Sequence, residues 1–360
     1  MTTKTMDIAI FGSGPDAMLL AGLLARRHGR KVALVRQRPF AGQIQRSPDL
    51  AAALMTRPES WIEIRRGADD VFRLFGEMGA TASLERVEVR FAASGPEAAE
   101  ALKHMRHVAQ GCGWAVQREV MDGTGPDRYA IRLSDVIRLS RHRLIAALSA
   151  WAIDTGIMLL EAERCTSRVL RNGNARITHD GVTITAELAV LADTDALQAH
   201  LPVAEIERHL RLLRGTVLLT EPTAALSVPV MVDADGGMIA SQSATGAVAI
   251  SGAGSADMVI ASAARRWPEI AGLRLAGQAM THSCLHRDGG PVFGNVGQSG
   301  AWSLAGLGPA SIVFMPAVAR QIAGDGEETG NGFFLDRGTG RRRAPGAAEF
   351  IPLASDGVLT

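Results

Sequence analysis

Apolar residues fall along this chain in two rhythms, short runs and helical spacing, and the two alternate from the first residues onward. Met6 to Phe11 is a short, mostly apolar run of the kind a buried parallel strand shows. A helix then opens at Pro15 and runs to about His28, Gly29 stops it, and Lys31 to Val35 returns as a second strand. Residues 58–80 carry Val71, Leu74, Phe75 and Met78 at helical spacing. Val87 to Ala93 alternates like a half-exposed strand, Pro96 to Gln110 reads as an amphipathic helix, and Met121 to Pro126 is a breaker. Residues 141–154 read as a helix ended before Gly156. Ile157–Leu160 and Arg164–Val169 read as strands, with a hairpin turn at Asn172-Gly173-Asn174. Ala175–His179 and Val182–Thr185 continue that meander, and Leu188 to Asp193 is a further buried parallel strand. A strand-rich region spans Thr216 to Ser251, with a turn at Asp233–Gly237. A helix near 258–266, a strand near 276–285, a glycine-rich segment to Gly308 and a helix from Pro309 to Ala323 complete the pattern. The tail after Gly324 reads as irregular, with Arg341–Arg343 a solvated charge run.

The first strand–helix–strand unit carries the most chemistry. Gly12-Ser13-Gly14-Pro15-Asp16-Ala17 gives G-x-G-x-x-A at the start of its helix. Gly12 makes the tight turn, Gly14 lets a pyrophosphate approach the backbone, and Ala17 lets helix and strand pack closely. Pro15 suits a first helical turn, where its missing amide hydrogen would be unpaired anyway. The amides and dipole at this helix start form an anion site, so the unit predicts a dinucleotide cofactor. The second strand should end in an acidic residue for the adenosine ribose, but Arg36 stands there. An arginine at this place suits a ribose 2′-phosphate, which points to NADP, or the adenine face or pyrophosphate of FAD. The turn alone does not choose between them. A second G-x-G, Ser251-Gly252-Ala253-Gly254, has no returning parallel strand after its helix and reads as a strand–helix corner.

Composition narrows the classes. The 360 residues are 47% hydrophobic and 21% charged, an ordinary globular balance with room for two domains. A net charge of +1 argues against a dedicated nucleic-acid or acidic-membrane surface. Cys112, Cys165 and Cys284 are too few and too scattered for a disulfide framework or a zinc site. The most apolar stretch, Ala17 to Ala25, falls far short of the ~20 residues a bilayer span needs. With no signal peptide pattern ahead of the first strand, the expected location is cytoplasmic.

The order of these pieces resembles the FAD-dependent oxidoreductases of the D-amino-acid oxidase family, which includes glycine oxidase and sarcosine oxidase. The resemblance extends over most of residues 6–326 and rests on four segments. They are the N-terminal turn, the stretch Leu144 to Ala192, the Arg214-Gly215-Thr216-Val217 turn, and Arg287-Asp288-Gly289-Gly290-Pro291-Val292-Phe293-Gly294 followed by Gly306-Leu307-Gly308-Pro309 and a helix. It implies an α/β protein with a Rossmann-like FAD-binding domain of the GR2 type and an interleaved antiparallel-sheet substrate domain. The expected FAD-binding segments are 1–48, 128–214 and 284–326, the substrate domain 49–127 and 215–283, and the tail 327–360. In that family the loop at 38–45, here with Gly42 and Gln43, passes close to pyrophosphate and flavin, and the backbone at Cys165 meets the adenine. Ala192 ends the third cofactor strand, and the Gly306-Leu307-Gly308 turn lies under the flavin ring. The helix after it points its positive end at the pyrimidine edge, where a reduced flavin carries negative charge. A nicotinamide fold has no need of this distant second glycine segment, so the resemblance favours FAD over NADP.

Three residues depart from the family pattern. Arg36 replaces the acidic ribose ligand, and Asp193-Thr194 replaces small residues after the third strand. Family members acting on amino acids commonly place an arginine five residues before the Asp-Gly turn, to clamp the substrate carboxylate; here that position is Ser283. Arg287 is the nearby cation that would substitute. His282, Cys284 and His286 share one face of the strand leading to the flavin turn, so His282 is a candidate site residue alongside Arg287. Tyr129 and Trp114 are candidate aromatic covers of the site. The expected activity is dehydrogenation of a C–N bond in an amine or amino-acid-like substrate, with preference for an amine lacking a free carboxylate. Two alternatives stand beside it: a flavin hydroxylase drawing on NAD(P)H, and a flavin-binding subunit supporting a partner in a hetero-oligomeric dehydrogenase.

Overall fold

The computed structural model describes residues 3–36, 49–120, 127–287, 290–325 and 333–334, the side chains of 141 and 142 excepted. Two sheets organise them. The first has eight strands, and its parallel core places Val32–Arg36, Thr3–Phe11, Val182–Leu191 and Trp302–Ala305 side by side. Met158–Glu161 extends it in parallel beyond Val32–Arg36, and Val292–Asn295 closes the other side antiparallel. The apolar runs are unbroken because both faces are buried. Ile8, Ile10, Val32 and Leu34 enter one cluster with helices Pro15–His28, Arg141–Asp154 and Ser311–Ala323. Ala9, Phe11, Ala33 and Val35 enter another, beneath the meander Cys165–Val169 and Ala175–His179 and the short helices Thr194–His200 and Val203–His209.

Glycines set the helix crossings on the first face. A Cβ at Gly22 would sit 2.0 Å from the Trp151 ring, so helix Pro15–His28 meets Arg141–Asp154 there at backbone range. A Cβ at Gly67 would lie 1.7 Å from the Val313 carbonyl oxygen, so helix Pro58–Glu77 touches Ser311–Ala323 through its backbone.

The second sheet has nine strands, mostly antiparallel. It runs Leu275–His286, Leu210–Thr220, Val248–Ala253, Ile239–Gln242, Val230–Asp233, Leu84–Ala93, Tyr129–Leu139 and Asp49–Leu50, with Val116–Arg118 beside Tyr129–Leu139. One face carries Leu218, Met231, Ala240 and Ile250 beneath helix Ala256–Arg266. The other carries Phe91, Ile131, Val232 and Ile239 into the large cluster shared with the first sheet. Among the described residues no helix is long and apolar enough to cross a membrane.

Several expectations shift. Tyr129–Leu139 is a strand that hydrophobic alternation does not reveal, because Arg132, Asp135 and Arg138 interrupt it. Arg132 is paired with Glu119 and Arg138 with Glu85, which is how a strand within the sheet tolerates them. Residues 129–139, 210–214 and 284–286 are strand residues of the second sheet. Val182–Leu191 is one strand rather than two, antiparallel to Ala175–His179 at its start and parallel to Thr3–Phe11 throughout. The Gly252–Gly254 segment ends an antiparallel strand, and Ser255 caps the next helix, so it is a corner. The loop with Gly42 and Gln43, the turn 121–126, Asp288-Gly289 and the Arg341–Arg343 run lie outside the described residues.

Candidate functional site

The parallel strands of the first sheet all end at one edge. Phe11 stands opposite Leu191, and Leu191 opposite Ser303, so Gly12, Ala192 and the segment from Ala305 to Gly308 leave the sheet side by side. In open α/β sheets this carboxyl edge is where ligands bind. Gly12 is required there by space: a Cβ would come within 2.9 Å of the Ala17 Cβ and 3.2 Å of the Ala192 Cβ. Gly14 is different, because among the described residues its Cβ would meet nothing closer than the Asp16 amide nitrogen at 3.9 Å. The room beside Gly14 lies on the open side of the turn. Gly14 is the N-cap of helix Pro15–His28 and offers no side-chain cap, which leaves the helix start to a ligand anion.

Asp193 sits in the same corner. One carboxylate oxygen accepts the Ser13 amide at 2.7 Å and the other accepts the Ala196 amide at 2.8 Å, capping helix Thr194–His200. The residue that departs from the family pattern therefore ties the glycine turn to the end of the third strand. Asp193→Ala is expected to lower stability by about 1–2 kcal/mol through loss of the cap, measured by urea unfolding of the cofactor-free protein.

The second glycine turn is held by its neighbours. Gly306 has φ +71°, and a Cβ there would press within 3.2 Å of the Gly290 carbonyl oxygen, the Pro291 Cα and the Leu285 Cδ2. A Cβ at Gly308, which has φ +58°, would meet nothing within 4 Å among the described residues. Leu307 precedes a single 3-10 turn, Gly308–Ala310, that leads into helix Ser311–Ala323. Val292 pairs with Ala305, which brings the end of the Arg287–Gly294 segment onto this turn.

The strand Leu275–His286 decides which side chains face the turn. Its pairing with Leu210–Thr220 is regular from Leu210/His286 to Leu219/Gly277. Leu285 touches the Gly306 turn, so Thr281, Ser283 and Leu285 share the face toward it, with Arg211, Leu213 and Gly215 beside them. His282, Cys284 and His286 share the opposite face. Cys284 and His286 are buried, Cys284 in the cluster that contains Ala305 and Val292, and His282 is exposed. The one-face grouping of 282, 284 and 286 is as the alternation requires, but it is the other parity that meets the turn. Arg287 is also turned elsewhere: its Nε donates to the Glu207 carbonyl at 3.0 Å, and its Nη2 donates to the same oxygen. Arg211 and Thr281 were not singled out by the sequence. Only the strand register identifies them, and register follows from pairing, not from composition.

Tyr129 lies away from the turn. Its ring is buried between Lys103, 5.9 Å from the centroid, and Arg118, 5.5 Å away, and it pairs with Ala93 at the end of its strand remote from Asp49. Trp114 packs edge-on against Trp61 at 5.6 Å, against helix Pro58–Glu77. Tyr129 is buried in the large cluster, and Trp114, half-buried, packs against it. Arg36 ends the second strand opposite Glu161 and is half-buried, lining a cleft with Met18, Ser149, Ala152, Ile153, Ile157 and Leu159. Cys165 begins a meander strand opposite His179, and burial pushes its thiol above the ordinary range. Burial raises the Cys284 thiol to about 12. A thiol so protonated is no nucleophile at neutral pH.

The open space at Gly14, the uncapped helix start and the positive-φ glycines at 306 and 308 fit a dinucleotide lying along the carboxyl edge of the sheet. No curated protein sequence matches the chain. Among solved structures it is similar to L-proline dehydrogenase from P. horikoshii, at 16% identity and a TM-score of 0.73, covering 93% of this chain and 97% of that one. Glycine oxidase from Geobacillus kaustophilus gives 17% identity and a TM-score of 0.70 over 95% and 100% of the two chains. Iminodiacetate oxidase from Chelativorans sp. BNC1 gives 19% and 0.65 over 88% and 94%. At such identities these likenesses speak for the fold. The family model of the FAD dependent oxidoreductases matches residues 7–324, nearly the whole of both sheets, and the chain belongs to that family.

Proposed function

We propose that this FAD-dependent oxidoreductase dehydrogenates a C–N bond of an amine or amino-acid-like substrate, the hydride passing from the substrate carbon to the flavin. The observation that carries the reading is the meeting of the Gly12–Gly14 turn, the Ala192–Asp193 corner and the Gly306–Gly308 turn at one sheet edge, beside one face of the second sheet. Bound FAD supplies the two-electron acceptor. The backbone at Gly14 and the start of helix Pro15–His28 would hold the pyrophosphate. Arg36 and the strand from Cys165 would border the adenosine. The Gly306-Leu307-Gly308 turn and the start of helix Ser311–Ala323 would offer amides to the polar edge of the flavin and favour negative charge there. Leu285 and Leu213 share the sheet face toward the turn and would keep water from the reacting carbon. The reaction asks little further of the protein, because a neutral amine at the flavin face needs no dedicated base.

The protein is expected to purify yellow and to release FAD, not NADP, on heating or acid treatment, identified by chromatography. With the Cys284 thiol protonated and buried, the denatured chain should show no added flavin mass. Anaerobic addition of amines and amino acids should bleach the visible flavin bands. A colourless protein that binds NADP and cannot be reconstituted with FAD overturns the reading.

A further inference from the structure

We infer that a second copy of this chain pairs antiparallel with the outer edge of strand Leu275–His286, across a two-fold axis at Met280. The protein is then a homodimer in which the two nine-stranded sheets run on into one another. The basis is the sheet edge alone, independent of the cofactor.

Leu275–His286 ends the second sheet, and among the described residues only Leu210–Thr220 pairs with it. From Gly277 to Ser283 every residue is exposed or half-buried, while Thr216, Val217 and Leu218 on the neighbouring strand are buried. The stretch is therefore open on both faces as well as along its edge, and Met280 is 80% exposed. Such an edge presents a row of backbone N–H and C=O groups that templates another strand. Natural edges are blunted by charge, proline, brevity or a bulge. Leu275–His286 is the longest strand among the described residues and contains no Asp, Glu, Lys, Arg or Pro. Its one break in register lies opposite Leu219/Thr220, before Gly277. On its other side the same sheet ends in the short strands Asp49–Leu50 and Val116–Arg118.

The charge pattern of the edge fits a copy of itself. Across a two-fold, a residue at the axis meets its own kind, so a charge there would meet like charge. A strand without charges meets that condition, whereas an edge selected for a different partner gains steering and specificity from charge. The regular, open stretch runs from Gly277 to Ser283, and its centre is Met280. An axis there sets Met280 against Met280 and Gln278 against His282 of the second copy. It also sets Ala279 against Thr281 and Gly277 against Ser283. The larger pairs all fall on the side of helix Ala256–Arg266, where Met258 adds a second methionine, 60% exposed. Met258 stands near Met280: its Sδ lies 3.1 Å from where a Gly254 Cβ would project, and the Gly254 carbonyl accepts the hydroxyl of Thr216, the residue opposite Met280. Unbranched methionines suit a contact of this kind, because they repack to fill it.

The test is sedimentation velocity and light scattering on the purified protein, from about 1 to about 100 µM. Wild type should show twice the 38.0 kDa of one chain. Met280→Lys and Met280→Glu each set like charges against one another at the axis, and each should weaken the dimer roughly 100-fold or more. Both should keep the wild-type circular dichroism, because Met280 faces solvent in the single chain. An equal mixture of the two variants should recover the dimer, since the mixed pair sets a cation against an anion. A wild-type protein that stays monomeric, whatever other protein it retains on purification, overturns the inference. So does a dimer that both variants leave intact, which would place the interface elsewhere. Two monomeric variants whose mixture also stays monomeric overturn the axis at Met280 and with it the self-pairing.

Discussion

Gly14→Val is expected to yield a folded, colourless protein. Gly14 has φ −79° and ψ 165°, ordinary extended backbone that valine adopts without strain. Among the described residues its Cβ would meet no atom closer than 3.9 Å, so the substitution disturbs no packing there. The fold should lose only about 1 kcal/mol, for a poorer N-cap. The added methyls would fill the space beside the helix start, where the pyrophosphate must come against the backbone. An isopropyl group there excludes the phosphate from van der Waals contact and from the helix amides together. We expect FAD affinity to fall by at least ~100-fold, equivalent to ~2.8 kcal/mol. Flavin content after gel filtration and the Kd from flavin fluorescence quenching report it, with circular dichroism as the control for folding. Gly14→Ala should fall between. Wild-type flavin content in Gly14→Val would mean that the turn is structural and that the cofactor lies elsewhere.

The cofactor edge was legible because its constraints are local. A strand ending in Gly12, a helix opening at Pro15 and stopped by Gly29, and a second strand ending at Arg36 follow from neighbours in sequence, and the structure has them with those bounds to within about a residue or two at most ends. The first strand is the exception, starting at Thr3 with three exposed residues that apolarity does not mark. The facing sheet was less legible because its residues answer to partners far along the chain. Tyr129–Leu139 keeps charged residues through pairs with Glu85 and Glu119, and no local pattern announces such pairs. The strand Leu275–His286 was visible, and so was the sharing of a face by 282, 284 and 286. Which face meets the glycine turn was not, since a shift of one residue in register inverts every side chain. That one parity moves attention from His282 and Arg287 to Arg211, Thr281 and Ser283. Asp193 shows the converse: it stands out in the sequence as a misplaced acid, and the structure gives it two amides to accept.

Gly67→Ala is expected to destabilise the protein by about 3 kcal/mol, although alanine is the better helix former. Gly67 lies inside helix Pro58–Glu77, where replacement by alanine ordinarily gains about 1 kcal/mol. Here the new Cβ would stand 1.7 Å from the Val313 carbonyl oxygen and 2.8 Å from its carbon. Both atoms are backbone, so no side-chain rotation relieves the clash, and one helix must move from the other. Overpacking of this kind costs about 1–3 kcal/mol and occasionally more, and a backbone obstacle belongs at the upper end. Gly76, near the end of the same helix, is the internal control, because a Cβ there meets nothing within 4 Å. Gly76→Ala should gain up to about 1 kcal/mol, so the two substitutions should shift the urea midpoint in opposite directions. The effect should also reach the cofactor. Val313 lies in the first turn of the helix that follows Gly306–Gly308, so pushing that helix away moves the amides offered to the flavin. Gly67→Ala should therefore hold FAD more weakly than Gly76→Ala at a temperature where both are folded. Equal midpoints for the two variants would show that the helices separate without cost, and the contact between Gly67 and Val313 would not be what fixes the flavin turn in place.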